Sequence, residues 1–419
     1  MSKVIVVGAG LAGVTTAHEL ARRGHETILI ERHQGVGLDA SYANGALLTP
    51  SMAEPWNAPG VHRLLAASLF DPRSAMKLRL SAIPSLIGWG SRFLACSTSA
   101  RHEAATKASF ILAKYSVGRT RDVRAELGLT YDAKTVGTLK IFRTTAAMES
   151  ALAIASKLEP LGLRFEVSNG DEAVAAEPAL AEIRSRIIGA LRFPDDESGD
   201  ARQFCEQLAN AFCKAGGILW THACVTELSV KRSTVSGVMV GERVECAGSV
   251  IVAAGSTSAD LLRQVGVSVP IRPVKGYTVT FDASHIERGP VIPIVDGALH
   301  AAIVPLGSRL RVAGTAEFAG ENRRLVEERV DKLLMLPNTT LPRIARQFSR
   351  ASAQAWAGLR PMSPDGLPFI GPTRISGLYI NAGHGHLGWT QAMGSACLLA
   401  GTVDGKNPDI DPSPYSAMR

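Results

Sequence analysis

The chain has 419 residues, enough for two domains, and its 46% hydrophobic and 20% charged residues are typical of a globular protein. The formal net charge of +7 fits either a basic surface or attraction to an anionic membrane face. No dense Lys/Arg run with interleaved aromatic residues indicates nucleic-acid binding. The six cysteines form no CxxC pair, so no metal site is predicted. No apolar run reaches the roughly 18 residues of a membrane span, and the immediate first strand leaves no room for a signal peptide.

The first predicted element is a strand that leads directly into a glycine turn, VIVVGAGLAG at residues 4–13. A helix pattern follows, and then a second apolar strand that ends at Glu31. This order, with Gly8, Gly10 and Gly13 in the turn, is typical of a dinucleotide-binding βαβ unit. The backbone at Gly10 would approach a pyrophosphate at the helix N-terminus. Glu31 would accept hydrogen bonds from ribose hydroxyls and would repel a 2′-phosphate.

Two apolar stretches with basic residues between them follow, VHRLLAASLF and LSAIPSLIGWGSRFLAC, within residues 61–97. Two interpretations stay open for this segment. It forms helices that pack on a sheet, or it forms a surface that touches lipid or a quinone.

Residues 217–255 favour FAD over NAD. They contain a strand, a short β-meander and an apolar strand that ends in Ala253-Ala254-Gly255. A NAD dehydrogenase usually continues with alternating strands and helices, whereas an interrupting meander is typical of a glutathione-reductase-like FAD domain. The fold class predicted is therefore α/β, with a discontinuous Rossmann FAD-binding domain at residues 1–55, 190–270 and 350–419.

The remaining segments, 56–189 and 271–349, are predicted to form a substrate domain of the α+β type, with a mixed β-sheet plus helices. The runs RPVKGYTVTFDA and HAAIVPLGSRLRVAG supply its strands. The charged stretch at 321–333 predicts an amphipathic helix.

The C-terminal part carries the glycine-rich stretch NAGHGHLGW at residues 381–389, between the strand LYIN and a helical run. Its glycines would let peptide N–H groups reach a flavin ring. The N-terminus of the following helix would stabilise negative charge on the reduced ring.

Several segments along the chain resemble the bacterial FAD-dependent D-amino acid dehydrogenases of the small subunit type, within the D-amino acid oxidase and glycine oxidase group. They include SYANGALLTPSMAEPWNAPG, FPDDESGDARQF, RPVKGYTVTF, GLRPMSPDGLPFIGPT and LYINAGHGHLGW. The chain departs from that family at residues 43–47, where ANAGQ is usual, and at His386, where Thr is usual. These departures leave the flavin prediction intact and leave the substrate open.

The resemblance implies oxidative deamination of a D-amino acid with noncovalent FAD, and transfer of the electrons to a quinone-type acceptor. The basic charge and the apolar stretch at 61–97 predict a peripheral position on the inner face of the bacterial cell membrane, and the scattered cysteines fit a cytoplasmic location. The alternatives are a D-proline or 4-hydroxy-D-proline dehydrogenase, an oxygen-using amino acid oxidase, and a flavin electron-relay subunit of a larger complex.

Hydride transfer from Cα to flavin N5 requires that the protein hold the substrate carboxylate and orient Cα. By resemblance, Arg360 is the carboxylate anchor, through two parallel hydrogen bonds. Tyr277 is a second candidate for the carboxylate, and His384 is the third candidate catalytic residue, although no general base is assigned. Lys275 is a weaker candidate at the flavin edge.

Trp56 and Tyr42 are pocket candidates, although core packing is favoured for each. The residues predicted to contact the cofactor are Val7, Gly8, Ala9, Gly10, Leu11, Ala12, Gly13, Glu31, Arg32, Ser41, Asn44, Gly45, Ala46, Val225, Ala254, Gly255, Gly358, Gly383, His384, Gly385, His386, Leu387, Gly388 and Trp389.

Overall fold

The computed structural model describes residues 3–70 and 74–419. The strands are β1 (Lys3–Val7), β2 (Glu26–Ile30), β3 (Leu47–Leu48), β4 (Met76–Leu78), β5 (Thr138–Phe142), β6 (Glu166–Asn169), β7 (Gly189–Phe193), β8 (Glu197–Ser198), β9 (Ile218–Trp220), β10 (Val225–Lys231), β11 (Thr234–Val240), β12 (Arg243–Cys246), β13 (Ser249–Val252), β14 (Arg272–Asp282), β15 (Ile294–Asp296), β16 (Ala301–Leu306), β17 (Arg309–Phe318), β18 (Gln354–Met362), β19 (Phe369–Pro372) and β20 (Leu378–Ala382). The helices are α1 (Leu11–Arg22), α2 (Val61–Phe70), α3 (Ile83–Ala95), α4 (Ser99–Leu127), α5 (Thr145–Leu158), α6 (Gly170–Ala176), α7 (Ala201–Lys214), α8 (Ser258–Arg263), α9 (Glu327–Thr340), α10 (Pro342–Ala345) and α11 (Ala392–Val403).

The βαβ unit lies in the middle of a six-stranded sheet with the order β19-β20-β13-β1-β2-β9. Five of these strands are parallel, and β19 pairs antiparallel with β20 at the edge. The strands are nearly continuous runs of Val, Ile and Leu because both faces are covered. Helices α1, α4, α7 and α11 cover one face, and the meander β10–β12 covers the other. The predicted Rossmann FAD-type architecture is confirmed.

The second sheet has nine strands in the order β18-β14-β17-β16-β15-β5-β7-β6, with β4 paired to β17. Most of its pairs are antiparallel, whereas β15 pairs with β5 and β17 with β4 in parallel, so the sheet is mixed as predicted. Apolar side chains on one face pack against α9, α10 and the turns around residue 180. The opposite face is free to line a cavity.

The chain segments differ from the predicted domain division in two places. Strand β18 lies within the predicted segment 350–419, yet it pairs with β14 in the nine-stranded sheet. Helix α4 lies within the predicted segment 56–189, yet it packs on α11 in the core of the six-stranded sheet. Small residues explain this packing, because the Ser116 hydroxyl accepts a hydrogen bond from the Gly394 N–H at 2.9 Å. The domain division itself stays a prediction.

The charged stretch at 321–333 is helical only in part, since α9 begins at Glu327. The preceding residues have other partners. The Arg324 N–H donates to the Asn322 side chain at 2.9 Å, and the Arg323 guanidinium pairs with Asp39 at 2.6 Å. These contacts hold 322–324 in a turn and delay the helix.

Candidate functional site

The glycine turn after β1 is shaped by backbone contacts that leave no room for side chains. Gly8 has φ +97°, and a Cβ there would lie 2.8 Å from the Ala253 carbonyl oxygen. A Cβ on Gly13 would lie 1.7 Å from the Gly8 oxygen, so α1 can approach β1 only with glycine at this position. Gly10 is the N-cap of α1 and has no side chain to cap the helix. The Leu11 N–H donates to the Ser41 hydroxyl at 3.2 Å, and the N–H groups that follow in the first turn suit a pyrophosphate.

Glu31 follows β2 and is buried. One carboxylate oxygen accepts the Ala9 N–H at 2.7 Å, and the other accepts the His33 N–H at 2.9 Å. These bonds fix the carboxylate beside the glycine turn and leave lone pairs for the two hydroxyls of a ribose. The turn, the uncapped helix and the oriented acid together fit the adenosine diphosphate half of FAD.

A cavity of about 1090 Å³ begins at this turn and continues to the nine-stranded sheet. This volume is at the upper end for ligand sites, which suits a dinucleotide together with a small substrate. Among the predicted cofactor residues, Ala9, Gly13, Ala46 and Gly383 do not line the cavity. Ala9 and Gly13 act through the backbone contacts described above. The predicted residues that do line it are Val7, Gly8, Gly10, Leu11, Ala12, Glu31, Arg32, Ser41, Asn44, Gly45, Val225, Ala254, Gly255, Gly358, His384, Gly385, His386, Leu387, Gly388 and Trp389.

The C-terminal glycine turn forms a 3₁₀ helix at Gly385–Leu387. The α-helix α11 begins only at Ala392, and the cavity wall in this segment ends at Trp389. The prediction that an α-helix N-terminus faces the flavin is therefore corrected, because the short 3₁₀ turn takes that place. The turn is fixed to the second sheet by a backbone bridge between His384 and Met362.

The two histidines of the turn are neutral at physiological pH. Desolvation lowers the pKa of His384 and that of His386 to about 4 each. His384 Nε2 lies 3.0 Å from the Ser395 hydroxyl. His386 Nε2 lies 3.1 Å from the Met52 carbonyl oxygen, which can only accept, so Nε2 carries the proton and Nδ1 is a free acceptor.

Arg360 is a cation of this cavity without a carboxylate partner. Within residues 3–70 and 74–419, no acidic oxygen lies within 4.0 Å of its guanidinium. Its Nη1 donates to the Thr315 carbonyl at 3.4 Å, and the guanidinium stands 5.4 Å from the centre of the Trp56 ring. Desolvation lowers its pKa to about 10, so the side chain remains charged at neutral pH. A partly desolvated charge without an ion-pair partner is stabilised by an anionic ligand.

Two backbone features make room for this guanidinium. A Cβ on Gly276 would lie 2.3 Å from its Cζ, so the arginine lies directly over a glycine of β14. Thr315 has φ +60°, a conformation that a β-branched residue rarely adopts, at a point where the β14–β17 register shifts. The resulting bulge turns the Thr315 carbonyl toward Arg360.

The structure corrects the predictions for Tyr277 and Lys275, which do not line the cavity. Side chains alternate along a strand, and the neighbours Gly276 and Thr278 face the cavity. Tyr277 and Lys275 therefore point to the opposite face. There the Tyr277 hydroxyl donates to Glu317 at 2.5 Å, and the Lys275 ammonium pairs with the same carboxylate at 3.0 Å.

Neither Trp56 nor Tyr42 is buried in the core, although core packing is the favoured prediction for both. Trp56 lines the cavity and stacks on His386, with ring centres 5.1 Å apart. Tyr42 is 39% exposed and lies under the Arg202 guanidinium. The cavity is also lined by Thr315, Met52 and Lys140, which no sequence pattern predicts as site residues.

The apolar segment after residue 60 forms α2 and α3, while its residues 71–73 lie outside the described chain. Trp89 and Phe93 of α3 pack inward against Phe318 of the large sheet. On the outer side, Leu80 and Ile87 are 71% and 66% exposed. Among the described residues, no helix combines the length and apolar character needed to cross a bilayer.

The fold and this cavity define the class, a two-sheet oxidoreductase with a Rossmann-type flavin-nucleotide site. The sequence model of the FAD dependent oxidoreductase (DAO) family matches residues 3–402, and the chain belongs to that family.

Curated relatives extend over the full chain. A D-amino acid dehydrogenase of Rhizobium johnstonii is 38% identical over 98% of this chain and 97% of its own length. A D-amino acid dehydrogenase of Methylobacterium nodulans is 38% identical over 100% and 99%. Among solved structures, glycine oxidase of Geobacillus kaustophilus has a TM-score of 0.76 at 24% identity, over 100% of this chain and 99% of its own. L-proline dehydrogenase of P. horikoshii has 0.79 at 18% identity, over 100% and 97%. The solved structures support the fold.

Proposed function

We propose that this chain catalyses the FAD-dependent oxidative deamination of D-amino acids. The observation that carries the proposal is Arg360, a half-buried cation that faces the cavity without a carboxylate partner among the described residues. The relatives named D-amino acid dehydrogenase over their full length support it. The products are an imino acid, which water hydrolyses to a 2-oxo acid and ammonia, and a reduced flavin.

When bound, the flavin accepts the hydride of the substrate Cα. The chain itself supplies binding and orientation. The Arg360 guanidinium forms a bidentate pair with the substrate carboxylate, while the Thr315 carbonyl fixes Nη1 from behind. Because His384 and His386 are neutral, they do not repel a substrate ammonium. His386 Nδ1 is an acceptor that can hold one amine proton.

The test is Arg360→Leu. The variant should keep its flavin spectrum and lose on the order of 3–5 kcal/mol of transition-state binding. This equals roughly a hundredfold to several-thousandfold in kcat/KM on D-amino acids. Arg360→Lys should recover only part of the loss, because an ammonium cannot form the bidentate pair.

Arg272→Leu is the matched control. Arg272 lies on the neighbouring strand β14 but does not line the cavity, so its replacement should leave kcat/KM within about threefold. A normal rate for Arg360→Leu on D-amino acids would place the anchor elsewhere. Anaerobic bleaching of the wild-type flavin by D-proline or 4-hydroxy-D-proline, but by no D-amino acid with a primary amine, would favour the cyclic-amine alternative. No bleaching by either class would favour an electron-relay subunit.

We further propose that the reduced enzyme passes electrons to a quinone-type acceptor at the inner face of the bacterial cell membrane. Leu80, Ile87 and Leu94 recur every seven residues and are exposed on the outer side of the α3 region. Arg63 and Arg92 are exposed on α2 and α3. An exposed apolar stripe with basic neighbours suits a peripheral contact with anionic lipid.

Sedimentation with anionic vesicles tests the membrane contact. Binding should fall with salt, and Leu80→Ser combined with Ile87→Ser should abolish it. Met335→Ser is the control, since Met335 is 61% exposed on α9, outside the α2–α3 segment. A quinone should support faster turnover than oxygen. Rapid hydrogen peroxide formation without vesicle binding would instead indicate a soluble oxidase.

We propose that the FAD is noncovalent, because the glycine turn and Glu31 supply a complete non-bonded site. His33 and Cys224 line the cavity and are the side chains to which a covalent flavin would be attached. Heat or acid should release all of the flavin into the supernatant, read by its absorbance. Flavin that remains with the precipitated polypeptide would overturn this part.

A further inference from the structure

The cavity-facing side of the nine-stranded sheet forms one hydrogen-bonded row that leads away from the Arg360 region. Ala313 of β17 pairs with Ala302 of β16, which pairs with Val295 of β15, which pairs with Lys140 of β5. All four residues line the cavity. Apart from Lys140, the row consists of two alanines and one valine, so its side chains leave room above the sheet. The row therefore connects the anchor region with a second cation.

Lys140 has an unusual environment for a lysine. It is half-buried, and its ammonium stands 5.7 Å from the centre of the Phe142 ring. In the part of the chain that the structure describes, no carboxylate oxygen lies within 4.0 Å of it. Ala151, Ile154 and other residues of α5 add apolar wall.

The other charged groups at this end leave Lys140 in need of an anion. Glu54 is the acid whose charge acts on Lys140, and it also lines the cavity. Its carboxylate is half-buried and lies 3.9 Å from His102 Nε2, and it makes no ion pair within 4.0 Å with Lys140. Asp296 is neutralised by Arg143 at 2.6 Å. His300 also lines this end, and desolvation lowers its pKa, so it is neutral.

We propose that the preferred substrate is an acidic D-amino acid, with its α-carboxylate on Arg360 and its side-chain carboxylate on Lys140. The inference rests on the proposed deamination and names the substrate class of that site. It follows from two cavity cations without acidic partners, joined by a row of small side chains. Lys140 is then a specificity-determining residue.

The separation of the two cations favours D-glutamate over D-aspartate. The Arg360 guanidinium lies over Gly276 of β14, and its Nη1 reaches the Thr315 carbonyl of β17. Three to four strand spacings of about 4.8 Å therefore separate it from β5, roughly 14 to 19 Å in all. The lysine stem shortens this distance from its own end. Two methylenes between the carboxylates span the remainder better than one.

The test is the ratio of kcat/KM for D-glutamate to that for the isosteric D-glutamine, measured on the FAD-loaded enzyme with an artificial acceptor. We expect a ratio of roughly 10 to 100, because a charge-assisted pair at a half-buried cation is stronger than a neutral hydrogen bond. Lys140→Met should bring the ratio to about 1, mainly by raising KM for D-glutamate. Lys140→Glu should turn the preference toward D-lysine.

Lys157→Met is the matched control, because Lys157 lies on the outer part of α5 with 59% side-chain exposure. It should leave the ratio unchanged. The ratio should also fall at alkaline pH in the wild type and not in Lys140→Met, since desolvation lowers the pKa of Lys140 and the neutral amine no longer binds an anion.

A wild-type ratio near or below 1, or a ratio unchanged by Lys140→Met, would overturn the inference while D-glutamine oxidation still supports the proposed function. If D-amino acids of every class fail to bleach the flavin, the proposed function itself fails and this inference with it.

Discussion

The two sheets contribute to the same cavity by different means. The six-stranded sheet forms its end of the cavity with backbone, through the glycine turn, the uncapped start of α1 and one oriented acid. The nine-stranded sheet forms its end with two long charged side chains, Arg360 over Gly276 and Lys140 beside the Phe142 ring. The backbone end fits any molecule with the same diphosphate, whereas the side-chain end can change its ligand by a single substitution.

A single added Cβ at the backbone end should abolish FAD binding. Gly13→Ala places a Cβ 1.7 Å from the Gly8 oxygen, so α1 must move away from β1. We expect more than about 3 kcal/mol of destabilisation and loss of FAD binding, read from the flavin-to-protein absorbance ratio. Gly88→Ala, also within a helix but with nothing within 4 Å, should retain full flavin content. Normal flavin content in Gly13→Ala would mean that the turn is less crowded than described.

On the nine-stranded sheet, removal of a cation with an acidic partner should lower stability, whereas removal of a cation without one should lower activity. Lys275→Met leaves the buried Glu317 without its ammonium partner and should lower the free energy of unfolding by about 3 kcal/mol, with a small change in KM. Arg79 continues to hold the same carboxylate, which limits the loss. Arg360→Leu should not destabilise the fold. Urea midpoints of the two variants test the contrast, and a destabilised Arg360→Leu would show that the arginine has a structural role.

The turn between the two ends should respond to acid. The folded pKa of His384, about 4, lies below the usual 6.5, so the unfolded chain takes up its proton first as the pH falls. Its contribution is fully present above pH 6.5 and is lost as the pH falls from 6.5 toward 4. The difference in Tm between the wild type and His384→Asn should therefore change over that window. A difference that is constant from pH 7 to 4.5 would mean that His384 is not buried in neutral form.

The smallest effect is expected at Trp56, which contacts the turn through His386 and the side-chain end through Arg360. Trp56→Phe keeps an aromatic ring but weakens the cation–π contact, worth about 0.5–1 kcal/mol. We expect a two- to fivefold rise in KM with kcat nearly constant. A change confined to kcat would point to a role in orienting Cα instead.

The sequence predicted the backbone end well because its requirements are local. Gly8, Gly13 and Glu31 belong to a motif of fewer than 30 residues, and this motif alone predicts the turn, the helix and the position of the acid. Arg360 was found only through family resemblance. Its lack of an acidic partner is a property of the folded sheet.

The remainder could not be read from the sequence because it depends on strand pairing across long distances. The face to which Tyr277 points follows from which side of β14 meets the cavity. Lys140 joins the site because β5 pairs with β15, more than 150 residues away along the chain. The Thr315 bulge arises from a register shift between two strands that have no special sequence signal.

The bridge between Met362 and His384 has a consequence for how this molecule can move. Met362 lies two residues after Arg360, and Trp89 of α3 donates to the Met362 carbonyl at 3.1 Å. These two contacts join strand β18, the turn that contains His384, and helix α3 at Met362. We therefore expect the anchor strand and this turn to move as one unit, so that opening for substrate exchange occurs at another part of the cavity rim.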